Sequence, residues 1–194
     1  MRMSEGVEWA LHSCLVLAWL DDESPLSTAT LAAAFDLPPA YLNKQLQALA
    51  KEGIVASTPG VRGGFRLARR PDEITLLHVV NAIEGTEEAF RCQEIRQNGA
   101  MASVPRAEFR QECVIAVAMR RADIAWRREL ADQTLADIQT TIDRDAPLAG
   151  ERMRSWHERR RAEVRRSIKP PARAAGSPGL ASVARTDDPI RPSE

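Results

Sequence analysis

At 194 residues, 44% hydrophobic and 28% charged, the chain can bury one sizeable core with some length left over. Its formal net charge of zero conceals an asymmetry: residues 1–150 carry an excess of about five acidic groups and residues 151–194 an excess of about five basic ones. No apolar run can cross a bilayer, no signal-peptide pattern opens the chain, and three cysteines are too few and odd for a disulfide framework, so a cytoplasmic protein is expected.

In chain order, residues 3–20 read as a helix with Val7, Ala10, Leu11, Cys14, Leu15 and Ala18 as its apolar stripe. Residues 25–68 carry the densest signal. Ser27 is a helix N-cap ahead of Leu31, Ala32 and Phe35, and Asp36-Leu37-Pro38-Pro39 breaks that helix. The next helix places Leu42, Leu46 and Leu49 inward and Tyr41, Asn43, Lys44 and Gln47 outward, and Gly53 stops it. Residues 54–57 and 65–68 then flank a turn with Gly60, Arg62, Gly63 and Gly64, which predicts a two-stranded wing. Helix, turn, helix and glycine-rich wing make a winged helix-turn-helix, and that points to double-stranded DNA.

In this reading Tyr41, Asn43, Lys44 and Gln47 meet base edges and phosphates in the major groove. The wing offers Arg62 and Gly63 to the adjacent minor groove. Lys44, Lys51, Arg62, Arg66, Arg69 and Arg70 supply a local positive patch, which is all that phosphate contact requires of a neutral protein.

Beyond the wing, residues 74–85 form an amphipathic helix with Ile74, Leu77, Val80 and Ile83 inward, ended by Gly85. Residues 86–111 lack a period and read as loop. One long helix is expected from about Glu112 to Arg144, with more apolar surface than a small winged domain can cover, which predicts a homodimer. The fold class is therefore mainly α with a small β-wing. Its parts are a winged domain (1–85), a loop (86–111), a dimerisation helix (112–146) and a basic, largely disordered tail (147–194) in which residues 155–169 can form a charged helix. No nucleophile–base pair or phosphate loop stands out, so no enzyme is expected.

Four further residues suggest chemistry. Glu8 and His12 lie four apart on one face of the first helix, and Cys92 and Cys113 bracket the loop. Thiolates and an imidazole suit the iron of an iron–sulfur cluster. Taken as residues alone, such a Glu–His pair is more often a surface contact, and two cysteines so spaced are more often ordinary buried thiols. Cys14, on the apolar stripe, reads as a core residue.

Residues 1–145 resemble the Rrf-two family of bacterial regulators. The resemblance rests on PAYL at 39–42, LQAL at 46–49, GIV at 53–55, GVRGGFRL at 60–67, ITL at 74–76 and AIEG at 82–85. Cluster-carrying members usually hold three loop cysteines, whereas this chain has two. The segments at 6–12, 90–99 and 112–119 are similar instead to a redox-sensing branch of actinobacteria. That resemblance implies a 2Fe–2S cluster on Cys92, Cys113, Glu8 and His12, with the last two from the partner subunit and Trp9 placed to sense its state. A cluster-free regulator using a reversible Cys92–Cys113 disulfide or a small ligand, and a winged-helix protein-interaction module, are the competing readings.

Overall fold

The computed structural model describes residues 3–20, 25–60 and 63–168. Its elements are α1 (Glu5–Leu20), α2 (Thr28–Ala34), α3 (Pro39–Lys51), β1 (Val55–Thr58), β2 (Gly64–Leu67), α4 (Leu76–Glu84), α5 (Val114–Ala131), α6 (Leu135–Asp145) and α7 (Leu148–Ile168). Arg62 and the tail beyond Ile168, where disorder was expected, lie outside the described residues.

The helix-turn-helix forms for the local reasons its sequence suggests. Ser27 Oγ accepts from the Thr30 amide at 3.1 Å and starts α2, and Pro38-Pro39 opens α3 with a proline in its first turn. Asp36 makes the turn between them in the left-handed region, φ 53°. At the end of α3, Gly53 takes φ 65° while its amide reaches Ala50 O and the next amide reaches Leu49 O, a Schellman stop. Leu42, Leu46 and Leu49 are fully buried.

The strands β1 and β2 pair antiparallel from Val55↔Leu67 to Thr58↔Gly64. A β-bridge from Leu26 to Phe65 ties this wing to the start of the helix-turn-helix.

The helix α1 is the axis of the molecule. It packs against α3, α4, α6, α7 and β2, and Val16, Leu17 and Trp19 are buried along with Val7, Ala10, Cys14 and Leu15 of the predicted stripe, while Leu11 and Ala18 are half-buried. A helix that is apolar nearly all round is buried nearly all round, so a single-stripe reading is too narrow here.

Two other expectations are corrected. The long helix of residues 112–144 is two helices, because Thr134 accepts from the Asp137 amide at 3.1 Å and Asp137 accepts from the Thr134 amide at 2.9 Å. This capping box restarts the chain. The break is stitched to the entry of α4, with Leu76 N to Gln133 O at 2.9 Å and Leu135 N to Ile74 O at 2.8 Å. The charged helix read at 155–169, taken as part of a solubilising extension, starts earlier as α7 and packs on the core. Ala149 and Met153 pack on the core, and Gly150 lies so close to Trp19 that a Cβ there would sit 3.1 Å from the indole. Trp19 Nε1 also donates to Asp143 of α6 at 3.1 Å.

Candidate nucleic-acid interface and sensing site

The outer face of α3 carries Tyr41, Asn43, Lys44 and Gln47, all exposed, while Gln45 between them is buried. The spacing follows from the three leucines that anchor the helix. Asn43 Oδ1 accepts from Thr28 of α2 at 3.2 Å, so its carbonyl is used within the fold. In the wing, Gly63 N donates to Gly60 O at 2.9 Å, and a Cβ on Gly63 would lie 2.1 Å from Thr58 O. Glycine at that position is therefore a requirement of the turn itself.

The positive patch is smaller than its sequence suggests. Arg69 donates to Glu52 O at 2.8 Å and Gly53 O at 2.9 Å, capping the carbonyl end of α3, and Arg70 pairs with Asp72 at 2.7 Å. Lys44, Lys51 and Arg66 are exposed.

The loop after α4 brings Cys92 and Cys113 together. Cys113 is the N-cap residue of α5 and is buried, while Cys92 is exposed. The Cys113 thiol is held below its usual pKa, most of all by the backbone N–H of Ala116 and less by that of Ile115, by Arg96 and by the hydrogen-bonding Cys92 thiol; burial opposes this. A helix N-terminus and a guanidinium both favour thiolate, the form that ligates metal. Cys14, by contrast, is completely buried in α1 and pushed up to about 12 by that burial, as befits a core residue.

Arg96 is a member of this site that the sequence reading missed. Its Nη2 donates to Glu94 Oε2 at 2.7 Å and to Gln111 O at 3.1 Å, and its guanidinium lies 5.3 Å from the Phe109 ring centre. The available signal was an arginine between two cysteines with an acid two residues before it. Exposed Arg–acid pairs are so common that the pattern did not stand out.

Glu8 and His12 project from one exposed face of α1 and line, with Leu11, a shallow groove of about 390 Å³. Among the described residues no three His, Cys, Asp or Glu side chains gather closely enough to hold a metal ion, so this pair and the cysteine pair do not converge within one chain. The same stretch of α1 touches the DNA-reading unit. Trp9 meets Tyr41 edge-on with ring centres 5.8 Å apart, and His12 lies 5.1 Å from Phe35 at the end of α2. The donor chemistry fits a 2Fe–2S group as two half-sites: adjacent thiols on one, carboxylate and imidazole on the other.

Mainly helical, with a small antiparallel wing and an exposed recognition helix, the molecule is a winged-helix DNA-binding protein. The chain belongs to the Rrf2 family, whose model, described as an iron-dependent transcriptional regulator, matches residues 3–141. It is similar to the HTH-type transcriptional regulator NsrR of Geobacillus kaustophilus, 31% identical over 138 residues that cover 71% of this chain and 89% of that one. It is likewise similar to protein rrf2 of Nitratidesulfovibrio vulgaris, 30% identical over 148 residues, 76% of this chain and 91% of that one. Among solved structures, T. potens IscR aligns with a TM-score of 0.56 at 20% identity, over 75% of this chain and 91% of its own, a likeness of fold. The protein is thus a transcriptional regulator and not an enzyme. Helix α7 lies beyond the matched residues. No helix among the described residues is long and apolar enough to cross a membrane.

Proposed function

We propose that the protein is a redox-responsive transcriptional repressor whose signal is read by a 2Fe–2S cluster shared between two copies of the chain. The observation that carries this reading is the meeting of the Cys92 and Cys113 thiols at the N-terminus of α5 beside Arg96. The family's iron-dependent description supports it. Cys92 and Cys113 of one copy would hold one iron, and Glu8 and His12 of the other copy the second. The bound group supplies a one-electron change of charge. What this chain contributes is the linkage: Glu8 and His12 ride on α1, and α1 touches the reading head through Trp9–Tyr41 and His12–Phe35. A displacement of that helix alters the angle of α3 to DNA, and a coupling of about 1–3 kcal/mol suffices for a useful switch. The dimer would bind a near-palindromic operator with half-sites about one helical turn apart.

The same thiol pair favours one competing reading, a cluster-free switch in which Cys92 and Cys113 lose two electrons and two protons to an oxidant and form a disulfide. Protein purified without oxygen separates the two. A visible band bleached by dithionite, with about two irons and two sulfides per chain as a 2Fe–2S group requires, supports the cluster. A colourless protein that stays iron-free after reconstitution removes it and leaves the thiol switch.

A further inference from the structure

Twenty residues separate Cys92 from Cys113, and their only regular structure is three short 3-10 turns, at Ile95–Gln97, Gly99–Met101 and Arg106–Phe109. A segment this irregular has no ladder of its own to hold its two ends at bonding distance. One side chain reaches both ends. Arg96, four residues beyond Cys92, grips Glu94 near the first cysteine, and Gln111 O and the Phe109 ring near the second. Glu94 itself sits in the left-handed region, φ 52°, which turns its carboxylate back toward Arg96. The Arg96 side chain is 27% and the Glu94 side chain 39% exposed, so the clamp is half-buried. Its planar fork serves a carboxylate and a carbonyl together while its face covers a ring, a set of contacts an ammonium cannot make.

We propose that Arg96 is the positioning residue of the sensing site, a clamp that closes the 92–113 loop and holds the two thiols at the spacing needed to grip a single two-thiolate ligand. This rests on the reading of Cys92 and Cys113 as the sensing pair, but not on the identity of what they hold.

The test uses the cluster-free full-length chain and phenylarsine oxide. Arsenic(III) gives up its oxygen as water, taking one proton from each thiol, and forms two S–As bonds; no electron changes hands. Wild-type protein is expected to bind one arsenical per chain, released by a dithiol but not by a monothiol at equal thiol concentration. Arg96→Ala should weaken binding at least tenfold with helicity and melting otherwise near wild type. Glu94→Gln, which removes the other jaw and leaves the arginine charge, should weaken it in the same direction. Arg96→Lys should fail to restore it. Unchanged binding in Arg96→Ala overturns the proposal, and so does full restoration by lysine, which would make charge alone sufficient. Wild-type protein that binds no arsenical overturns it as well. If the wild type binds arsenical and Arg96→Ala does not, while iron and sulfide never load, the clamp stands and the cluster reading falls.

Discussion

Arg69 and Lys44 have the same formal charge and opposite employment. Arg69 spends its guanidinium on the Glu52 and Gly53 carbonyls just past the end of α3, whereas Lys44 stands exposed on the face of that helix. Losing two hydrogen bonds from a charged donor at an exposed helix end should cost about 1–2 kcal/mol. Arg69→Ala is therefore expected to lower the unfolding free energy in urea by about that much. Lys44→Ala should leave stability unchanged, weaken operator binding and reduce the salt dependence of affinity by about one counterion. If the two variants behave alike in both assays, this division of the patch is wrong. At this scale the sequence was legible where a side chain's role follows from periodicity: Leu42, Leu46 and Leu49 are buried, and Tyr41, Asn43, Lys44 and Gln47 are exposed. It was silent where role depends on a partner distant in the chain. Nothing in residues 66–70 says which arginine folds back sixteen residues and which faces solvent.

Helix boundaries depend on competition between a continuing period and a local hydrogen-bonded stop. Residues 112–144 hold apolar groups at helical spacing, so periodicity alone runs one helix through Thr134. The Thr134–Asp137 box and the pairing of residues 133–135 with 74–76 offer the backbone an alternative that also buries Leu135. Tertiary pairing of that kind has no signature in a single sequence. Thr134→Ala should destabilise the protein by about 1 kcal/mol, a usual loss for an N-cap. The box also predicts a pH effect. The Thr134 hydroxyl, then its amide, hold the Asp137 carboxyl below its usual pKa. A carboxylate whose folded pKa is depressed stabilises fully above its unfolded value, near 3.8, and loses that contribution as pH falls through the lower folded value. Acid unfolding followed by circular dichroism should therefore show a smaller loss of stability below about pH 4 in Asp137→Asn than in wild type. An equal loss in both would remove Asp137 from the account. The tail helix teaches the same lesson differently. The charged helix read at 155–169 begins at Leu148 instead, because Gly150 and Met153 seat its first turns on α1.

For the whole molecule, the decisive surface is α5, a helix in which Ala116 is the only residue buried. Val114, Val117 and Ile124 share one side of it at helical spacing and are 79%, 37% and 57% exposed. Apolar groups so open along a helix call for a cover, and in the proposed arrangement a second copy of the chain would supply one with the symmetry of the proposed palindromic operator. Under the proposed arrangement that second copy also completes the sensing site, because Glu8 and His12 never meet Cys92 and Cys113 within one chain. Dimer, cluster and operator binding then stand or fall together. Ile124→Asp places a charge on the exposed face without touching the core, so the monomer should keep its melting behaviour. It is expected to elute as a monomer at micromolar concentration, to lose high-affinity binding to a two-half-site operator, and to retain little iron. Iron content is the most informative of these readings. A folded monomer that still holds two irons and two sulfides would show that one chain suffices, and would move the ligands of the second iron away from Glu8 and His12 of a partner. A monomer that loses iron together with DNA affinity ties the sensing chemistry to the same contact that sets the spacing of the two reading heads.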